Sequence, residues 1–432
     1  MVVVLVLVAV AVLAAFAALH WWAWRRLVRD TTRGPGPARR AGAAVFVAGP
    51  VLTVAALVTE RSGAPFRIQR VLGWPGFLWL ALSLYLLLAL VAGEVLRPLV
   101  RRLVDRAAPT RNTTSSPAQV PAETASTAPY TELVTLTPES ASNAAPDPNP
   151  AAVTPVTDPS RRLFVSRVVG GAVAAAAVGT VGYGTYGVLR GPAVKHVTVP
   201  LAKLPRSAHG FRIAVVSDIH LGPVLGRDFA QRVVDTVNST QPDLIAVVGD
   251  LVDGSVPDLG PAAAPLSQLR ARHGSYFVTG NHEYFSGADQ WVEEVRRLGL
   301  RPLENARTEL PAFDLAGVND LAGESEGKGP DFAKALGDRD PARAVVLLAH
   351  QPVQIHEAVR HHVDLQLSGH THGGQLWPGN FVAAAANPTV AGLDRYGDTQ
   401  LYVTRGAGAW GPPTRVGAPS DITVVELASR RA

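Results

Sequence analysis

The chain has 432 residues, room for about two or three domains of ~150 residues, and no cysteine, which excludes disulfides, thiolate metal sites and cysteine nucleophiles. It is 47% hydrophobic and only 17% charged, with a mean hydropathy of +0.15, an unusual balance for a purely soluble protein. The net charge is +5, and almost all of the positive charge is arginine, with only four lysines; those arginines flank apolar runs rather than forming one basic face, so membrane topology explains them better than nucleic acid does.

Residues 2–19 form an unbroken apolar run of 18 residues, followed by Trp21, Trp22 and Trp24 and then Arg25, Arg26 and Arg29. Residues 41–59 and 71–93 form two more runs. At about 1.5 Å per helical residue, each is long enough to cross a hydrocarbon core of ~30 Å. A cleaved signal peptide is the alternative for the first run, but it lacks a basic start, and the tryptophans and arginines behind it resemble an interfacial anchor. The expectation is a membrane region with three transmembrane helices over residues 1–106.

Arginine placement orients these spans. Arg25, Arg26, Arg29, Arg33, Arg39 and Arg40 lie between the first two runs, and Arg97, Arg101, Arg102 and Arg106 follow the third. Only Arg61, Arg67 and Arg70 lie between the second and third. The positive-inside rule therefore puts the first two groups in the cytoplasm and the N-terminus outside.

Residues 107–160 hold ten prolines and ten threonines with almost no large apolar side chains. Such a segment buries too little surface to offset the entropy of ordering, so a disordered cytoplasmic linker is expected. A fourth transmembrane helix is expected within residues 161–190, its apolar part being 168–189. The Ser160-Arg161-Arg162-Leu163-Phe164 flank resembles a twin-arginine export signal, which would make the export machinery a partner; a plain basic topology flank fits the same residues. Either way the remainder of the chain, residues 195–432, emerges outside the membrane.

That remainder reads as soluble α/β. Strands are predicted at 211–216, 243–248, 275–279, 344–349 and 363–368, and helices at 227–238, 289–298 and 353–360. The polar residues of interest all follow strand ends, where open α/β sheets build ligand sites. They are SDIHLG (Asp218, His220), VVGDLVDG (Asp250, Asp253), VTGNHEYF (Asn281, His282, Glu283), LLAHQP (His350) and LSGHTHGG (His370, His372). Each alone has an ordinary explanation, an aspartate as helix cap or a histidine as core or surface residue. Five strand ends delivering acids, an amide and histidines in one domain weaken that explanation. The other seven histidines fit no such position and are read as surface or loop residues.

This set resembles the calcineurin-like metallophosphoesterase family, whose pattern D-x-H, G-D-x-x-D, G-N-H-D/E, H and G-H-x-H occurs complete and in order over about residues 211–372. The apolar spans before it and the tail LYVTRGAGAWGPPTRVGAPSDITVVEL (401–427) look like the membrane-anchored bacterial branch of that family. Pro419-Ser420-Asp421 departs from it, since that branch tends to have Pro-Glu there.

The resemblance implies an α/β fold, a two-sheet sandwich flanked by helices, preceded by the helical transmembrane region. It implies two divalent metal ions, of Mn, Fe, Zn or Co type. Asp218, His220, Asp250 and His372 would hold one; Asp250, Asn281, His350 and His370 would hold the other. Such ions, ~3.5–4 Å apart, supply hydroxide at neutral pH for in-line attack on phosphorus. His282 is the implied catalytic residue, protonating the leaving oxygen or binding a phosphoryl oxygen. Asp253 and Glu283 would orient the ligands.

The implied function is hydrolysis of a phosphomonoester or phosphodiester outside the cell membrane, with a phosphorylated small molecule or lipid as substrate, membrane lipids as neighbours and no nucleic acid. A pyrophosphatase acting on a lipid-linked or nucleotide-sugar diphosphate is the alternative among enzymes. A transport or sensing protein with a non-catalytic phosphoesterase fold is the alternative of another class. Trp377, Phe381, Tyr396 and Trp410 suit a lipid or sugar portion, or ordinary core packing; Arg405 and Arg415 suit phosphate, or pairing with acids.

Overall fold

The computed structural model describes residues 2–107 and 161–430. The expected linker, beyond Ala107, lies outside the described residues.

Four helices come first: α1 (Val2–Trp24), α2 (Pro37–Arg61), α3 (Phe66–Ala107) and α4 (Arg161–Leu189). Among the described residues, Pro37–Arg61, Phe66–Val100 and Leu163–Leu189 are long and apolar enough to cross a membrane. The first apolar run is helical through Trp24. Helix α3 extends past both ends of the apolar run read from sequence, continuing through Pro75 and Pro98. Hydropathy marks where an apolar environment ends, whereas backbone hydrogen bonding carries a helix on into polar sequence.

Charged pairs between the helices gather at the end that carries Glu94. Glu94 pairs with Arg26 at 3.2 Å and with Arg97 at 2.9 Å, and Arg97 also donates to Ser166 Oγ at 3.0 Å. His20 corrects the reading of the remaining histidines as surface or loop residues. It is buried, with Nδ1 2.8 Å from Phe16 O, Nε2 3.0 Å from Ser83 Oγ, and Trp79 Nε1 donating to Nε2 at 3.2 Å. Both ring nitrogens are satisfied, as a buried imidazole requires.

The C-terminal domain follows in the order β1 (Ala193–Leu201), β2 (Phe211–Val216), α5 (Arg227–Ser239), β3 (Leu244–Val248), α6 (Val256–Ala263), β4 (Ser275–Val278), α7 (Asn281–Ser286), α8 (Ala288–Arg297), β5 (Arg301–Pro302), β6 (Ala306–Glu309), β7 (Phe313–Gly317), α9 (Phe332–Leu336), β8 (Ala344–Leu348), α10 (Ile355–Arg360), β9 (Leu365–Ser368), α11 (Gly379–Ala386), β10 (Gly392–Tyr396), β11 (Thr399–Val403) and β12 (Asp421–Ser429). Two six-stranded sheets result, ordered β1-β12-β2-β3-β4-β5 and β10-β11-β9-β8-β7-β6. Strands β2, β3, β4 and β5 run parallel, as do β11, β9, β8 and β7. Antiparallel pairs β12–β2, β10–β11 and β6–β7 complete the mixed sheets.

Side-chain alternation explains the layering. In β2, Ile213 and Val215 face the second sheet beside Leu315, Val346 and Leu367, while Ala214 and Val216 face Phe229, Val233 and Trp291 of the helices outside. On the second sheet, Val345 and Leu347 meet Phe332, Leu336 and Ile355 from α9 and α10. Strands buried on both faces read as continuous apolar runs, which is how β2, β3 and β8 appear in the sequence. The result is a helix–sheet–sheet–helix sandwich in which β2, β3, β4, β8 and β9 all end on one side, while β1 and β12, parallel to each other, run opposite to β2.

Candidate metal centre

The predicted site residues leave the C-terminal ends of β2, β3, β4, β8 and β9 and meet there. Among the described residues nine non-glycine residues have positive φ, and five are Asp218, His220, Asp250, His370 and His372, at 49° to 73°. Such backbones cost of order 1–3 kcal/mol each and persist where the surroundings over-determine them. The strain is concentrated where the side chains converge. Two glycines allow the loops to touch: a Cβ on Gly249 would lie 2.7 Å from His350 Nδ1, and one on Gly280 would collide with Asp250 Oδ1.

Two clusters share the site. In the first, His220 Nε2 lies 3.0 Å from His372 Nε2, and His372 Nε2 lies 3.3 Å from Asp218 Oδ1. In the second, His350 Nε2 lies 3.1 Å from Asp250 Oδ2, and His370 Nδ1 lies 3.0 Å from Asn281 Oδ1. Asp250 stands between them, since its Oδ2 is also 3.8 Å from His220 Nε2. Ligand atoms of Asp218, His220 and His372 fall within 4.8 Å of one another, as do those of Asp250, His350 and His370; His220, Asp250 and His282 form a third such group.

Surrounding residues fix these rings and carboxylates. Asp253 takes His220 Nδ1 at 3.0 Å and His282 Nδ1 at 2.6 Å. Buried Glu283 accepts the backbone N–H groups of Asp250 (3.0 Å), Leu251 (2.7 Å) and Gly280 (2.6 Å), tying β3's loop to the start of α7. The sequence suits Arg415 to binding phosphate or pairing with acids. It is buried instead against backbone carbonyls, donating to Gly408 O and His372 O at 2.6 and 3.1 Å, with Nη2 3.2 Å from His372 Nδ1. Its tie to His372 was not legible, because 43 residues of chain separate the two. Trp377, Phe381 and Trp410 are exposed rather than core, while Tyr396 is half-buried and bonds Thr389 Oγ1 at 2.9 Å.

Electrostatics follow from this packing. Burial alone would raise Asp253, but His220 and His282 outweigh it and hold the carboxyl well below the usual range. Burial would lower His282, and the hydrogen bond and charge of Asp253 instead push it up to about 9. His370 and His372 are depressed to about 4, first by burial, with His350 and His220 respectively adding repulsion.

The donor set fits divalent cations on one observation above all. His350 Nδ1 lies 2.8 Å from Val248 O, so Nδ1 carries the proton and Nε2 presents a lone pair. That buried Nε2 has no hydrogen-bond partner, yet faces Asp250 Oδ2 at 3.1 Å. Two acceptors at that distance need a proton or a cation between them. Imidazole, carboxylate and amide groups converging without thiolate suit first-row divalent metals.

The family model for calcineurin-like phosphoesterase matches residues 211–374, the span that carries Asp218, His220, Asp250, Asp253, Asn281, His282, Glu283, His350, His370 and His372. A Danio rerio "transmembrane protein with metallophosphoesterase domain" is 40% identical over 259 residues, 57% of this chain and 59% of the relative. An "uncharacterized metallophosphoesterase" of Helicobacter pylori is 36% identical over 272 residues, 62% of this chain and 73% of the relative. One of Bacillus subtilis is 30% identical over 286 residues, 62% of this chain and 98% of the relative. The chain thus spans under two thirds of the Danio rerio protein but most of the bacterial ones. The matched stretch and the two bacterial alignments together establish that the chain belongs to the calcineurin-like metallophosphoesterase family.

Proposed function

We propose that the chain is a membrane-anchored hydrolase that cleaves a phosphate ester at two divalent cations. Asp218, His220, Asp250 and His372 hold one; Asp250, Asn281, His350 and His370 hold the other. The facing lone pairs of His350 and Asp250 carry this reading. When bound, the ions lower the pKa of water to near neutrality and draw an anionic phosphoryl group into the site. Asp250, the acid between the clusters, has two oxygens and would be shared by both ions.

His282 serves the other half of the reaction. Asp253 holds its Nδ1 at 2.6 Å, so the ring presents Nε2 to the site and can pass a proton to the departing ester oxygen. Backbone N–H of His282 also donates to Asp250 Oδ1 at 2.9 Å, so the proton donor moves with the proposed bridge. Every ligand position of the pattern is filled, which favours catalysis over a binding-only fold. The arginine-rich stretches lie at the opposite end of the helices from the C-terminal domain's attachment, which supports placing that domain outside the cell membrane.

The test is an assay of the full chain purified in detergent, stripped with chelator and reloaded singly with Mn, Fe, Zn or Co. Nitrophenyl phosphate and bis-nitrophenyl phosphate are the probes. Chelation is expected to abolish turnover and at least one metal to restore it. No hydrolysis of these probes or of a phospholipid ester, with any metal, would overturn the proposal.

A further inference from the structure

The C-terminal domain is docked on the membrane helices through the loops that rim the metal centre. Tyr85 of α3 donates its hydroxyl to Trp377 O at 3.0 Å. Leu376 and Val416 pack into the apolar cluster of Tyr85, Leu86, Ala177 and Val181. On α4, Gly184 O accepts the backbone N–H of Arg415 at 3.3 Å, and Thr185 Oγ1 lies 2.7 Å from Thr414 Oγ1. At the other end of the dock, Phe66 packs against the core beneath the first sheet. These contacts sit close to the site in the chain: Leu376 follows His372 by four residues, and Arg415 binds His372 directly.

Depth along the helices gives the dock its meaning. Glu94, paired with two arginines, marks a polar boundary, and Tyr85 lies nine residues from it. At about 1.5 Å per residue that is ~14 Å, roughly halfway across a ~30 Å hydrocarbon core. Trp377, bonded to Tyr85, is thereby held against the middle of the apolar stretch of α3.

Helix α11 follows directly. Its sequence, GNFVAAAA, carries no charge and none of its residues is buried. Trp377 is 50% exposed, Phe381 65% and Val382 73%. An uncharged helix with an open apolar surface is out of place in water and at home in a bilayer interface. Its Asn380 packs against Gly374, in the turn that begins at His372. Across the site, Phe285 (74% exposed) and Trp410 (44%) stand with their rings 5.5 and 5.6 Å from His282. An apolar collar thus runs from the membrane helices to the proposed proton donor.

We propose that the substrate is a lipid phosphate ester, whose acyl portion stays in the bilayer while its phosphate passes Trp377, Phe381 and Trp410 to reach the site. This rests on the phosphoesterase reading above and names its substrate class. Water gives up a proton to solvent as its oxygen bonds phosphorus, the P–O bond to one alcohol breaks, that alcohol oxygen takes the proton of His282 Nε2, and the ring regains a proton from solvent. An uncharged, exposed helix beside the turn that carries His372 suits a substrate delivered from the bilayer.

The experiment uses the full chain in liposomes, with dioleoyl phosphatidic acid and dioleoyl phosphatidylglycerol as lipid probes and nitrophenyl phosphate esters as soluble ones. Hydrolysis of at least one lipid probe is expected. Val382→Asp with Ala385→Asp, at exposed positions of the same helix, should keep soluble turnover within about twofold and lower lipid turnover by about tenfold or more, because inserted apolar area is lost. A second readout does not depend on activity: the emission added by Phe381→Trp should be quenched by bromo-acyl lipid. Soluble turnover without lipid turnover, equal losses on both substrate types, or no quenching would overturn the substrate class. A chain that hydrolyses no probe at all would instead overturn the phosphoesterase reading.

Discussion

Asp253 holds His282 by its Nδ1 at 2.6 Å, and the same carboxylate holds His220 Nδ1 at 3.0 Å. One buried acid therefore fixes the tautomer of a proposed ligand and of the proposed proton donor, turning both Nε2 atoms toward the site. The two histidines have different work from similar surroundings. A measurement on His282 alone separates those roles.

With His282→Ala, both metals should remain bound, while the rate falls by ~10²–10⁴ on an alkyl phosphate ester. The defect should be mild on a nitrophenyl ester, because nitrophenolate departs without a proton. Metal content and the two rates measured at matched loading decide the matter. Equal losses would make His282 a binder of phosphoryl oxygen, and loss of a metal would move it into the ligand set.

Asp250→Asn should lower both metal occupancy and turnover. The native carboxylate accepts from His282 N–H through Oδ1 and faces His350 through Oδ2. An amide in its place offers one acceptor oxygen and one donor nitrogen, so it cannot present two lone-pair-bearing atoms to two cations. Elemental analysis of the purified variant is the check. Two ions per chain with normal activity would overturn the shared-ligand assignment.

The strands carrying the site were legible because parallel strands buried on both faces read as apolar runs, and each ends in a polar motif. β2 begins and ends as predicted, and β3 and β8 differ from prediction by one residue. Edge strands were not legible. β10 reads GLDRY with no buried residue, and its pairing with β11 is a matter of hydrogen bonds rather than hydrophobic pattern. β1 pairs with β12 across more than two hundred residues of chain, a relationship that no local window contains. The same limit hid the bond between Arg415 and His372 and the dock between Tyr85 and Trp377. Residue types announce chemistry, but partners distant in the chain emerge only from the fold.

Chelated protein should lose stability as pH rises from about 6.5 to 9. The folded pKa of His282 is raised from 6.5 to about 9, and those of His220 and His350 are also raised, burial opposing and the neighbouring aspartates prevailing. A raised histidine contributes stability fully below its unfolded pKa and loses it through the folded one, so the contribution declines across that window. Metal ions replace protons on His220 and His350, and the loaded protein should show a flatter profile. Thermal unfolding of the full chain in detergent, with and without metal, makes the comparison. A chelated protein that grows steadily more stable up to pH 9 would refute it.

Orientation is open to reporter fusions. A reporter active only outside the cytoplasm should work when fused after Ala432 and fail when placed within residues 107–160. The reverse pattern would invert the topology. Replacing Arg161 and Arg162 by lysine separates the two readings of that flank. A twin-arginine signal should then hold the C-terminal domain inside, whereas a topology flank should tolerate the change because charge is kept.

Glu283 is expected to matter more for structure than for chemistry. Its carboxylate takes three backbone N–H groups, from Asp250, Leu251 and Gly280, and is fully buried. Burial, joined by the charge of Asp250, pushes its pKa up to about 7, and the backbone donors pull against that shift. Glu283→Ala leaves those donors without a partner, and a buried unsatisfied group costs about 1–3 kcal/mol. Glu283→Gln keeps an acceptor oxygen but turns an amide N–H toward a backbone donor, so an intermediate loss is expected. The loop that presents Asp250 should loosen in step, lowering metal affinity before it lowers the rate of the loaded enzyme. Thermal unfolding together with metal titration checks the order Glu283→Ala below Glu283→Gln below wild type. A Glu283→Ala protein with native stability and affinity would show that the three N–H groups find other partners.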